Sequence, residues 1–168
     1  MIDIIYKNFK MKYISILFIS LFFLFSCKSL FQNKTKSEGW LNIIVTDGVE
    51  VYTDTTSIRF EGAVAYAREK RIYTTDESRA AYVEKIKNEY TKMGKPKNAD
   101  KWKDFSFCIY NCLYECTNKR FRVLSVEDYD SNGKLIQITP PKTPYRWLNV
   151  GVETAGDYTF FFVCDYQK

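Results

Sequence analysis

The chain has 168 residues, 46% of them hydrophobic, 27% charged and 17% aromatic, with a formal net charge of +5. That much apolar surface offsets the entropy of ordering and excludes disorder, and the length points to one domain, short of the ~250 residues of a (β/α)₈ barrel. No histidine is present, which excludes every triad or zinc site that needs an imidazole, and the many Tyr and Phe favour strands over a helical bundle.

Ile14 to Phe25 is an apolar run of 12 residues, too short for the roughly 20 that cross a bilayer as a helix. Lys7, Lys10 and Lys12 precede it, giving the basic n-region and short h-region of a secretory signal. Leu24-Phe25-Ser26-Cys27 then resembles the lipobox of bacterial lipoproteins, where a signal peptidase cuts before the cysteine and the thiol is acylated. Each buried CH₂ contributes about 0.8 kcal/mol, so two or three acyl chains hold a protein on a membrane where one does not. The expected organisation is a signal peptide over 1–26, a lipidated Cys27 with a polar tether over 27–38, and one folded domain over 39–168. Met1 and Met11 both remain as starts. Lys28, where an inner-membrane lipoprotein has Asp, favours a lipid anchor in the bacterial outer membrane, on its surface or its periplasmic face. The mature chain would hold 22 basic and 19 acidic residues, a bias too weak to argue for nucleic acid.

From Gly39 the pattern changes to short strands joined by turns. Trp40 to Val45 and Val49 to Thr53 read as a hairpin across Asp47-Gly48, a dipeptide that tolerates φ > 0. Ser57 to Phe60 and Ala63 to Tyr73 repeat the device across Glu61-Gly62. Thr74 to Met93 reads as the inserted helix (about 75–93): Thr74 and Glu77 have capping-box spacing, and Val83, Ile86, Tyr90 and Met93 form an apolar stripe. Gly94 and Pro96 are placed to end it. Lys85, Lys87, Lys92, Lys95, Lys97, Lys101 and Lys103 make this stretch basic. A solvated face accounts for them; the functional alternative is a contact for acidic polysaccharide or host protein, with Lys85, Lys92, Lys95 and Lys97 as its candidate binding residues.

Lys103 to Cys116 and Arg120 to Asp128 read as paired strands, the second apolar on both faces and so expected to carry a layer on each side. Leu135 to Ile138 follows a turn at Asn132-Gly133, and the prolines at 140, 141 and 144 make 139–145 an exposed connector. The last segment is ambiguous: Thr159 to Val163 has strand propensity, while Val152 to Tyr158 can start a helix. With Cys27 acylated, Cys108, Cys112, Cys116 and Cys164 remain in an exported chain, where disulfides persist. On a strand, Cys108, Cys112 and Cys116 lie about 13 Å apart in succession and cannot bridge one another; on a helical turn they can. Their spacing is not that of a zinc knuckle. Asp128-Tyr129-Asp130-Ser131-Asn132-Gly133 matches the first half of a calcium loop, with Asp128, Asp130 and Asn132 as the oxygen donors. Thr139 stands where a bidentate Glu is required, so a polar turn is the preferred reading and no metal is expected.

These residues resemble the surface-adhesin protein E-like family of bacterial envelope proteins, over roughly Trp40 to Cys164. The resemblance rests on Trp40, Val51-Tyr52-Thr53-Asp54, Ser57-Ile58, and Glu115-Cys116 ahead of the aromatic strand to Leu124. Tyr129-Asp130 with Gly133, then Trp147 and Cys164, complete it. It implies an α+β fold, mainly antiparallel sheet with a C-terminal helix packed on it, and a disulfide between Cys116 and Cys164. It also implies adhesion to host extracellular-matrix components such as laminin and vitronectin. The expected function is therefore a lipid-anchored binding module without catalysis or cofactor. Its partners would be the membrane through its lipid and host matrix or envelope proteins; a homodimer is compatible with this reading. The alternatives are a periplasm-facing scaffold or inhibitor, and a small hydrolase using carboxylates such as Asp128 and Asp130.

Overall fold

The computed structural model describes residues 39–141 and 146–166. The expected signal peptide, Cys27 and the tether to residue 38 lie outside the described residues, as does a stretch of the proline connector.

The architecture is α+β, with one antiparallel sheet. Its strands are β1 (Trp40–Thr46), β2 (Val49–Asp54), β3 (Arg59–Glu61), β4 (Val64–Tyr73), β5 (Phe105–Glu115), β6 (Arg120–Asp130), β7 (Leu135–Thr139) and β8 (Leu148–Asn149). They lie in the order β1-β2-β4-β5-β6-β7, with β3 on β4 and β8 on β6. The ten-residue β4 is long enough for two partners: β2 pairs with its C-terminal half and β3 with its start. Between β4 and β5 the chain inserts helix α1 (Asp76–Lys92) and a 3₁₀ segment, Pro96–Trp102. Helix α2 (Ala155–Cys164) closes the described chain.

Both helices pack on one face of the sheet. Small residues of β4, Ala65 and Ala67, let α2 approach closely, and Ile58, Cys112, Tyr114, Phe160 and Val163 complete that core. Under α1, Trp102, Phe105 and Cys108 are buried against Tyr82, Val83, Ile86 and Tyr90. Met93, expected in this stripe, is 60% exposed, because α1 has already ended and Gly94 at φ 71° turns the chain away. The cap also differs from expectation. Thr74 donates its N–H to the Gly48 carbonyl at 2.9 Å and stays with the hairpin, so Thr75 caps the helix with Ser78 as its reciprocal partner.

The hairpin turn sits directly against that helix start. Gly48 has φ +88°, and a Cβ there would lie 2.9 Å from Ser78 Cβ and 3.0 Å from Thr75 Oγ1. Gly48→Ala is therefore expected to cost about 1–2 kcal/mol in urea unfolding, combining left-handed strain with a clash. Gly62→Ala, at φ +61° with open space around it, should cost less, and equal losses would contradict the contact.

Strand β6 corrects the expectation of two covering layers. Val123 faces Cys112 but Ser125 faces Asn111, so Leu124 is an extra residue, a bulge. The bulge reverses the alternation: Phe121 and Val123 point to the helix layer on one side of it, Val126 and Asp128 on the other. Apolar residues thus occupy both parities although, among the described residues, helices cover one face alone.

The C-terminal segment, ambiguous in the sequence between strand and helix, is a helix packed on the sheet, as the resemblance implies. Thr154 Oγ1 accepts the Asp157 N–H at 3.2 Å as an N-cap, and Phe160 and Val163, three residues apart, turn to the core. The structure contains a disulfide between Cys116 and Cys164, fixing the end of α2 to the end of β5.

Candidate functional site

The face of the sheet opposite the helices carries a different chemistry. Successive residues of a strand point to opposite faces, so β4, which turns Ala65, Ala67 and Glu69 to the helices, turns Tyr66, Arg68 and Lys70 outward. β5 adds Phe107, Ile109, Asn111 and Leu113, and β6 adds Ser125, Glu127 and Tyr129, directly opposite their β5 partners in register.

Most of these side chains join one array, and Arg120, Arg122 and Trp147 form a second group on the same sheet. Phe107 and Tyr129 stack with centroids 4.8 Å apart and planes 7° from parallel. Lys70 Nζ lies over Phe107 at 4.5 Å and 6.0 Å from Trp40, which Arg68 also approaches at 5.7 Å. Glu127 is the hub: its Oε2 accepts from Tyr129 Oη at 2.7 Å and lies 3.7 Å from Arg68, while its Oε1 accepts from Asn111 Nδ2 at 2.9 Å. Asn111 Oδ1 in turn accepts from Tyr66 Oη at 2.8 Å, and Arg59 stacks over the Tyr66 ring at 4.4 Å. Arg120 and Arg122 flank Trp147 at 5.8 and 4.9 Å, and Arg120 Nε donates to Glu115 Oε2 at 2.7 Å. Burial and the Glu127 bond push the Tyr129 hydroxyl up to about 12, so it remains a neutral donor near neutral pH.

Mutual contacts of this kind hold long side chains in fixed rotamers before a partner arrives, which lowers the ordering cost of binding. Aromatic residues and arginine, half-buried and pre-positioned, are also the residue types enriched at the energetic centres of protein interfaces. The sequence contains the signal for this surface. Alternation of small with large amphipathic residues along Ala65-Tyr66-Ala67-Arg68 marks one crowded face and one presented face.

The residues singled out from the sequence lie elsewhere. Lys85 and Lys92 are exposed on α1, and Lys95 and Lys97 are exposed in the turn and 3₁₀ segment that follow. All four belong to the helix layer and none joins the array. The calcium-like donors do not converge. Asp128 is 1% exposed and faces inward, where it accepts from Tyr82 Oη at 2.7 Å and Trp102 Nε1 at 2.9 Å. Asp130 Oδ1 instead accepts the backbone N–H groups of Asn132 and Lys134, both at 2.9 Å. This is an Asx-type turn, and Gly133 at φ 75° supplies its left-handed residue. The carboxylates of Asp128 and Asp130 are thus engaged by different partners, one in the core and one in the turn.

Between the two helices the inner face holds a buried polar seam. Glu69 accepts from Tyr114 Oη and, at 3.2 Å, from Arg71 Nη2, and the Arg71 guanidinium lies 4.4 Å over the Tyr110 ring. Cys108 and Cys112 flank it as free, buried thiols. Burial pushes Cys108 up to about 12 and Cys112 well above its ordinary value, so both stay protonated and unreactive.

No protein-family model matches the chain, and no curated protein matches it. Solved structures do. The chain is similar to Haemophilus influenzae protein E in crystal form II, with TM-score 0.49 and 12% identity, covering 76% of this chain and 88% of that one. For a selenomethionine form of the same protein the values are 0.46, 13%, 76% and 87%. For protein E from a non-typeable Haemophilus influenzae they are 0.44, 14%, 76% and 76%.

Proposed function

We propose that the chain is a lipid-anchored bacterial envelope protein acting as a binding module, whose helix-free sheet face is the docking surface for a protein partner. The single observation that supports this most is the array of Trp40, Tyr66, Arg68, Lys70, Phe107 and Tyr129, pre-positioned on a face that no described element covers. The lipobox-like Leu24 to Cys27, and a disulfide of the kind that persists in exported proteins, support the envelope. The family resemblance supports a host extracellular-matrix protein as the partner.

The test uses intact bacteria expressing the full chain, captured on immobilised laminin or vitronectin. Arg68→Ala with Tyr129→Ala is expected to weaken capture at least about tenfold, since two central interface residues carry about 1 kcal/mol or more each. The melting temperature of the variant reports whether it folds. Undiminished capture by the double variant removes the sheet face as the docking surface. The second reading, a periplasm-facing scaffold, is supported by the same array. It predicts that added protease leaves the chain intact until the cells are lysed.

A further inference from the structure

Between Lys85 and Lys103 the chain has seven lysines against two acids, Glu89 and Asp100. All seven lysines are exposed. Glu89 is paired with Lys92 at 3.1 Å, and Asp104, just past the segment, lies 3.8 Å from Lys103. Among the described residues, Lys85, Lys87, Lys95, Lys97 and Lys101 have no carboxylate partner. The fold brings these charges together. Gly94 reverses the chain, Lys95 donates its N–H to the Tyr90 carbonyl at 2.8 Å, and Trp102 packs 5.7 Å from the Tyr90 ring. The 3₁₀ segment therefore folds back on the C-terminal half of α1. The helix dipole there offsets about half a charge, far less than the surplus.

We propose that this lysine ridge docks on an anionic phospholipid surface, the headgroup layer of the membrane that holds Cys27. The proposal rests on the reading of Cys27 as a lipid anchor and deepens it. Charge complementarity selects the occupant: lysine is depleted at protein interfaces, whereas clustered lysines near an anchor are the form in which proteins engage anionic headgroups. Eleven residues, 28–38, separate Cys27 from Gly39. Fully extended they reach at most about 40 Å, against a radius of gyration of about 14 Å for a domain of this size. The ridge is thus held at high effective concentration beside the bilayer. Because the helices cover one face of the sheet and the aromatic–arginine array the other, docking through the ridge turns the array away from the membrane.

The full chain, isolated from membranes, is mixed with vesicles of phosphatidylcholine alone or of equal parts phosphatidylcholine and phosphatidylglycerol, then acylated with an amine reagent and mapped by mass spectrometry. On the anionic vesicles the five lysines should lose several-fold of their reactivity, with Lys119 and Lys134 unchanged, and high salt should restore it. In a competition between the two vesicle types, replacing the five with glutamine should abolish the salt-sensitive preference of the chain for the anionic vesicles without moving the melting temperature. Equal reactivity on both vesicles overturns the proposal, as does protection by heparin on neutral vesicles with none on anionic ones. A chain that pellets with anionic vesicles only, ridge protected, keeps the ridge and removes the anchor. Pelleting with neither removes both.

Discussion

Opening the Cys116–Cys164 bond, by reductant or as Cys164→Ser, is expected to lower the unfolding free energy by about 4 kcal/mol. The bond closes a loop with a sequence separation of 48 residues, and the chain-entropy relation for such a loop gives that magnitude. Some of the effect should be local, because α2 is otherwise held mainly by Phe160, Val163 and their neighbours on the sheet. Urea unfolding followed by Trp fluorescence, with and without reductant, measures it. A loss under about 1 kcal/mol would mean that this packing alone holds α2 in place. Thiol labelling under native conditions should detect no reaction of Cys108 and Cys112, which are buried, so the effect can be assigned to the bridge.

The second large effect belongs to Asp128. Its two carboxylate oxygens satisfy Tyr82 and Trp102 beneath α1, so Asp128→Ala leaves two buried donors unpaired and should cost about 2–4 kcal/mol. Asp128→Asn retains an oxygen for the Trp102 N–H and an amide that can donate to the Tyr82 hydroxyl, and should be far milder. The two residues also differ in their response to pH. Burial raises the Asp128 carboxyl above its ordinary range, and the two hydrogen bonds only partly oppose it. A group whose folded value is raised contributes stability that is present below its unfolded value, about 4 for Asp, and is lost as pH rises through the folded value. Relative to Asp128→Asn, the native protein should therefore lose stability as pH rises from about 4 towards neutrality. Parallel profiles for the two proteins would rule out a titrating Asp128.

Much of the architecture was legible because local signals agreed with the fold. Asp47-Gly48 and Glu61-Gly62 marked hairpins, and the spacing of Val83, Ile86 and Tyr90 marked α1. The failures have identifiable physical causes. A bulge at Leu124 reverses side-chain parity without leaving a Gly or Pro to announce it. The last segment, by contrast, is open in the sequence between strand and helix, and the Thr154 cap with the core contacts of Phe160 and Val163 makes it the helix that the resemblance implies. Asp128 belonged to a loop motif by spacing, yet its strand position turned it inward. The site was less visible than the fold, because a lysine-rich stretch stands out in composition. The outward residues of β4, β5 and β6, from Tyr66 to Tyr129, are far apart in the chain and become one surface only through register.

The way β1 enters the sheet has a mechanical consequence. Any pull on the segment upstream of Gly39 is delivered to an edge strand, where ladder bonds can open singly, in succession. At that entry point the Gly39 carbonyl accepts two hydrogen bonds from Thr55, from its N–H at 2.6 Å and its hydroxyl at 2.8 Å, and the Trp40 indole lies beside Arg68 and Lys70 of β4. This works as a strain relief, like the clamp where a cable enters its housing. Tension has to break the Thr55 clasp before it reaches Trp40 and the first rungs between β1 and β2, so the array, from Trp40 on β1 to its partners on β4, β5 and β6, keeps its shape under load.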